Sequence, residues 1–181
     1  MNRIATIYAG AVCALLLTAF TADAAPPPGR AHYHHLIGVR TAAGASHAAI
    51  LFQASGSPGL NLRLAKENAD AMEALAGQIH ERVIWIETIQ DPEEQKLVSQ
   101  HLEEIRLLTL EVNESAGALR AWIDETGATS SVQASTYLRT RMQERCRVIF
   151  ARYKEMDVLN RIVMEKLGMS PPSDPPMISR D

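Results

Sequence analysis

Four of the six histidines, His32, His34, His35 and His47, fall within 16 residues. Imidazole is the commonest side chain for holding zinc, copper or nickel, so this cluster is a candidate transition-metal site. His32-x-His34-His35 has no cysteine or close carboxylate beside it, and a polar arm is the alternative reading. A second set depends on folding. If the chain reverses near residues 90 and 91, His80 comes level with His101, and a further reversal near residue 128 brings Glu155 and Met156 to the same height. That set would suit a transition metal, although in heptad terms His80 falls at e and His101 at g, on the flanks of the seam.

Cys146 stands between Arg145 and Arg147, which would favour its thiolate if it were exposed. Its spacing from Met142 and Ile149 places it on an apolar helical seam, where a buried cysteine is expected. The basic run Arg139, Arg141, Arg145, Arg147, Arg152 and Lys154 could attract anionic lipid or an acidic protein. Its alternative is pairing with an acidic neighbour. Other chemistry is excluded by pattern: Glu-x-x-His, Cys-x-x-Cys-His, Gly-x-Gly-x-x-Gly and a phosphate-binding Gly-Lys-Ser/Thr loop are all absent. No catalytic set and no organic cofactor are expected.

The elements that would position these residues are helices. The chain has 181 residues, 46% hydrophobic and 22% charged, with 9 prolines that cluster toward the ends and leave only Pro92 between Leu60 and Leu167. Three segments, about 57–90, 91–126 and 130–167, show apolar residues at alternating steps of three and four, the pattern of a heptad seam. The first carries Leu62, Ala65, Ala69, Met72, Ala76, Ile79, Val83 and Ile86, with Ser57-Pro58 read as its start. The second carries Val98, Leu102, Ile105, Thr109, Val112, Ala116, Leu119 and Ile123, and Asp91-Pro92-Glu93-Glu94 supplies a cap, a proline at the first helical position and a carboxylate in the first turn. The third carries Met142, Cys146, Ile149, Tyr153, Met156, Asn160, Val163 and Leu167, and Gly168 is its expected stop. Asn160 reads as a polar register device in that seam.

Short joints between such helices make neighbours antiparallel. The predicted fold is therefore all-α: an elongated antiparallel three-helix bundle over 57–168, with coiled-coil-like packing and a short fourth helix at 39–53 as an option. Residues 91–126 hold 3 basic and 9 acidic groups (net −6) and residues 130–167 hold 8 basic and 4 acidic (net +4), so an acidic helix is expected to pair with a basic one.

The ends read differently. Residues 1–24 have the form of a secretory signal, with Arg3, an apolar run from Ile4 to Phe20 and small residues at Ala22 and Ala24, so cleavage after Ala24 is predicted. An uncleaved anchor is the alternative. Cleavage removes Cys13 and leaves Cys146 as the sole thiol, which excludes an internal disulfide. Residues 25–56 form an arm containing Pro26 to Pro28 and the histidines, and 169–181 a proline-rich tail.

An exported helical hairpin of this size broadly resembles the periplasmic Spy/CpxP group of stress chaperones and metal-responsive proteins. The fragment Asp91-Pro92-Glu93-Glu94-Gln95 stands where that group has Leu-Thr-x-x-Gln, but the Leu and Thr are missing and no residue roles carry over. The resemblance implies envelope chaperone activity. The expected function is thus protein binding in the periplasm or outside the cell, as chaperone, adaptor or assembly component, with metal binding through the N-terminal histidines as the alternative. Near-neutral net charge, −3, gives no reason to expect nucleic acid. Membrane contact is expected only through the signal segment, and long seams that continue between chains would allow a homo-oligomer.

Overall fold

The computed structural model describes residues 29–57, 59–128 and 136–170. Residues 1–28, with the expected signal segment, Cys13 and Pro26 to Pro28, together with Pro58, the joint after Ala128 and the tail from Pro171, lie outside the described residues. Among those described, regular structure is α-helical throughout: α1 (Arg30–Ser55), α2 (Leu62–Ile89), α3 (Pro92–Ala128) and α4 (Thr136–Lys166). No helix among them is long and apolar enough to cross a membrane.

The three seams expected from spacing are the buried stripes of α2, α3 and α4, with Leu62 and Leu167 partly covered at the ends. The correction concerns the first helix. Instead of a short option at 39–53 on a polar arm, α1 runs for 26 residues and carries its own seam, His34, Ile37, Thr41, Gly44, Ala48, Leu51 and Ser55. Those steps also alternate three and four. The helix packs on α2 and α4, and α3 packs on α2 and α4, so the backbone contacts close a ring of four helices. A three-helix core is not what forms, because the exposed stripe left by three helices is covered by α1.

Side-chain pairs set the antiparallel register. Arg40 bonds Gln78 between α1 and α2, Lys66 bonds Asp124 between α2 and α3, Arg152 meets Glu111 between α3 and α4, and Thr41 meets Asp157 between α1 and α4. On every seam, later residues of one helix meet earlier residues of the next. The bundle is an up-down-up-down arrangement with short connections.

Two helix ends follow their sequence signals and one does not, while the expected start of the third segment near residue 130 lies outside the described residues. Asp91 Oδ1 accepts the Glu93 and Glu94 backbone N–H groups at 3.0 and 2.9 Å, satisfying two of the first donors of α3. At the other end Gly168 has φ 66°, and the Gly168 and Met169 N–H groups return to Glu165 and Met164 carbonyls at 3.0 and 2.8 Å. This is a Schellman closure, which a residue with a Cβ would strain. The exception is Ser57-Pro58: α2 instead starts at Leu62, after Asn61 accepts the Leu64 N–H at 3.1 Å. Asn is as good a cap as Ser, and it adjoins the first turn of the buried stripe.

Tyr153 occupies the middle of the bundle. Its ring projects from α4 over Gly44 of α1, and its hydroxyl donates to the Met72 carbonyl of α2. A Cβ on Gly44 would lie 2.2 Å from Tyr153 Cζ. We therefore expect Gly44→Ala to lower stability by about 1–3 kcal/mol through overpacking. Gly77→Ala, where a Cβ meets nothing within 4 Å, should instead be neutral or gain up to about 1 kcal/mol from helix propensity. Urea titrations of the two variants read the contrast.

Candidate functional site

The histidines that cluster in sequence separate in space, since successive residues of a helix point about 100° apart. His32 and His35 are exposed, and His32 packs edge-on against Tyr33. His34 is fully buried against α4. Asn160 Nδ2 donates to the His34 carbonyl at 2.9 Å, which turns Asn160 Oδ1 toward the ring, 2.8 Å from Nδ1. Nδ1 therefore carries the proton and donates. Nε2 is buried without a partner.

Two further histidines repeat this arrangement on other seams. Asn68 donates Nδ2 to the Leu64 carbonyl and presents Oδ1 to His47 Nδ1 at 2.9 Å, between α2 and α1. Thr109 donates its hydroxyl to the Arg106 carbonyl and presents the oxygen to His80 Nδ1 at 3.0 Å, between α3 and α2. His80 thus meets Thr109, eight positions beyond His101, and the expected His80/His101 pair does not form. Side chains lean toward their own helix N-terminus, so in an antiparallel pair the partner lies farther from the turn than equal counting places it. His101 lies partly buried on α3 with an unpartnered Nδ1. Met156 is a core residue, and Glu155 pairs with Arg152 at 2.9 Å. Among the described residues, no group of three or more His, Cys, Asp or Glu side chains could hold a metal.

Cys146 has no exposed surface, and burial pushes its thiol up to about 12. At neutral pH it is a protonated core residue despite its arginine neighbours, because desolvation disfavours the thiolate. It nevertheless stands behind the lining of a groove. Ala48, Ala49 and Phe52 of α1 with Cys146, Arg147 and Phe150 of α4 line a groove of about 280 Å³ on the α1/α4 seam. The small α1 residues leave this space, and the two phenylalanines bound it. Gln143 donates to the Phe52 carbonyl at 3.4 Å and ties the helices beside it.

Charge surrounds that groove unevenly. The expected pairing of an acidic helix with a basic one is realised by Arg152–Glu111, but other carboxylates of α3 are engaged elsewhere. Glu94 pairs with Arg30 of α1, Asp124 with Lys66 of α2, and Glu93 and Glu103 with Lys96 and Arg106 of α3 itself. Arg139, Arg141, Arg145, Arg147 and Lys154 make no ion pair among the described residues. Arg141 and Arg145 lie 4.3 and 5.7 Å from the Trp122 ring centroid, Arg147 5.1 Å from Phe52 and Lys154 6.0 Å from Phe150. Such cation–π contacts orient a cation without neutralising it. α1 contains no Asp or Glu. Together α1 and α4 carry 10 basic and 4 acidic groups (net +6), whereas α2 and α3 carry 6 basic and 13 acidic (net −7).

Sequence reasoning missed this polarity because it compared only two helices. It also missed the aromatic set at the far end of the α1/α2 seam, where Tyr33 stacks on Trp85 at 6.2 Å and Arg82 lies 5.7 Å from the Tyr33 ring. Tyr33 lay in a segment read as an arm.

No family model, curated protein or solved structure matches this chain. The fragment that suggested the Spy/CpxP resemblance is the N-terminal cap of α3, a role any Asp-Pro-Glu-Glu start performs.

Two measurements check the site chemistry. Burial, followed by the nearby Arg30 charge, holds His34 below its ordinary 6.5 against the opposing Asn160 bond. Unfolding therefore takes up a proton, and stability should fall as pH drops through about 6.5, with a slope from this group of at most about 1.4 kcal/mol per pH unit. The difference between wild type and His34→Gln in urea midpoints from pH 7.5 to 5 isolates that slope. Cys146 should resist thiol reagents in the native protein and label fully in denaturant, and rapid native labelling would contradict its burial.

Proposed function

We propose that this chain is an exported helical bundle that acts by binding other proteins in the cell envelope, as a chaperone, adaptor or assembly component, and not by catalysis. The N-terminal sequence, with its basic start, apolar run and Ala22-x-Ala24, supports export to the periplasm or beyond. One observation carries the binding reading: although the four helices close a core, thirteen large apolar side chains among the described residues stay 38% to 70% exposed. Some are neighbours on one helix, such as Ile84, Trp85 and Ile89 of α2 and Leu107 and Leu110 of α3. Burial of apolar surface against a partner is the favourable term such positions offer. The stress-chaperone resemblance points the same way as an analogy of architecture.

Metal binding through His32, His34, His35 and His47 has less support. It rests on nearness in sequence, and His34 and His47 already use Nδ1 to join helices. The decisive measurement is light scattering of a chemically reduced, aggregation-prone model protein in the presence of the mature chain. Suppression is expected at near-equimolar ratio, with at least a threefold loss in the combined variant Trp85→Ser, Leu107→Ser, Leu110→Ser. A wild-type chain without effect, or a variant with full effect, would remove the chaperone reading. Export is checked separately by cell fractionation and by the mass of the mature N-terminus, expected to begin at Ala25.

A further inference from the structure

The groove on the α1/α4 seam is a cavity distinct from the α2 and α3 neighbours Ile84, Trp85, Ile89, Leu107 and Leu110, and shares only Phe150 with the exposed apolar side chains on which the protein-binding reading rests. Its lining is apolar except for Arg147, and its volume of about 280 Å³ is at the lower edge of small-molecule pockets, about 300 Å³. Phe52 and Phe150 both line the groove, and each ring carries a cation: Arg147, itself on the lining, over Phe52 and Lys154 over Phe150. The guanidinium and ammonium are thereby held beside the two rings while keeping full charge.

Nothing on the opposite wall neutralises them. α1 holds no carboxylate along its length. On α4, Asp157 bonds Arg161 at 3.2 Å and Thr41 at 3.4 Å, and Glu155 is engaged by Arg152. Cys146 and Ala48, both without exposed surface, back the groove and add no charge, the cysteine behaving as a small apolar group. An apolar groove with one unpaired cation on its lining and a second beside one of its rings is complementary to an amphiphile that ends in an anion.

We propose that the α1/α4 groove binds the hydrocarbon chain of an anionic amphiphile, with a fatty acid as the occupant: the chain lies along Ala49, Phe52 and Phe150, and the carboxylate faces Arg147 and Lys154. A guanidinium is suited to this role because it can donate two parallel hydrogen bonds to a carboxylate.

The test is isothermal titration of the mature protein with decanoate, kept below its micelle concentration, with decanol as the uncharged control. The expected result is saturable one-to-one binding, about tenfold weaker for decanol and about tenfold weaker in each of Arg147→Gln and Ala49→Leu. Ala49 is only partly buried and leucine is a good helix former, so Ala49→Leu fills the groove while the fold, checked by circular dichroism, is kept. The absence of saturable binding, equal affinity in Ala49→Leu, or decanol binding as tightly as decanoate would each overturn the proposal. Two other occupants have distinct outcomes. Cosedimentation with phosphatidylglycerol vesicles without decanoate binding would reassign the cations to a membrane surface. A dimer in sedimentation velocity that Ala49→Leu disperses, again without decanoate binding, would give the groove to a second copy of the chain.

Discussion

The Tyr153 side chain, lying over Gly44 with its hydroxyl on the Met72 carbonyl, ties three helices at one level. The ring needs a residue without a side chain beneath it, and that requirement fixes the height of α4 against α1. The hydroxyl needs a buried acceptor, because an unpaired phenol in the core would lose its hydration without compensation. The Met72 carbonyl fills that need and fixes α2 against both. Once these heights are set, His34 meets Asn160 and His47 meets Asn68 without further adjustment. Each of these bonds is modest in net worth, about 1 kcal/mol, but each is costly to leave half made. Slippage by one heptad would bury His34, Asn160 and Tyr153 without partners, so the polar groups specify register more than they add stability.

Much of the fold was legible because α2, α3 and α4 use apolar residues at nearly every seam position. The first helix obeys the same heptad rule with His34, Thr41, Gly44 and Ser55 at four of its seven seam positions, which leaves periodicity intact and hydrophobicity faint. Gly44 in particular reads as a helix weakener in sequence, whereas its absent side chain is the space for Tyr153. The same residues explain why three helices were expected where four pack: the covering helix is small-faced so that the large residues of α4 can reach past it. Among the ends, Asp91 and Gly168 were readable from local chemistry alone. The start of α2 was not, because Ser57 and Asn61 are equivalent as caps and only the covered stripe decides between them.

The candidate residues were legible as types and misplaced as groups. Histidines close in sequence occupy different faces of one helix, and those near a shared level were counted through a symmetric turn that ignored the lean of helical side chains. What the sequence does contain, seen afterwards, is a recurring pairing: a histidine on one helix and a short amide or hydroxyl residue on the next, His34 with Asn160, His47 with Asn68 and His80 with Thr109. A single chain cannot reveal such pairs, since they lie from 21 to 126 residues apart.

Net charge was the least informative number, and the reason bears on how the protein meets a ligand. The value of −3 hides a half at +6 on α1 and α4 and a half at −7 on α2 and α3, with −2 on the residues outside the helices. Neighbouring helix axes lie roughly 8–10 Å apart, while the screening length at physiological ionic strength is about 8 Å. The two halves are therefore only partly compensated for a ligand approaching either one. An anion nearing the α1/α4 seam encounters cations held on aromatic rings well before it is repelled by the carboxylates of α3. The local sign, and not the total, governs encounter at that face. This polarity follows from composition that no single helix explains: α1 lacks acids altogether, so the cations of α4 on that side have no partner to find there, while of the α3 acids Glu111 alone pairs with α4 and four others are taken up by α1, α2 and their own helix.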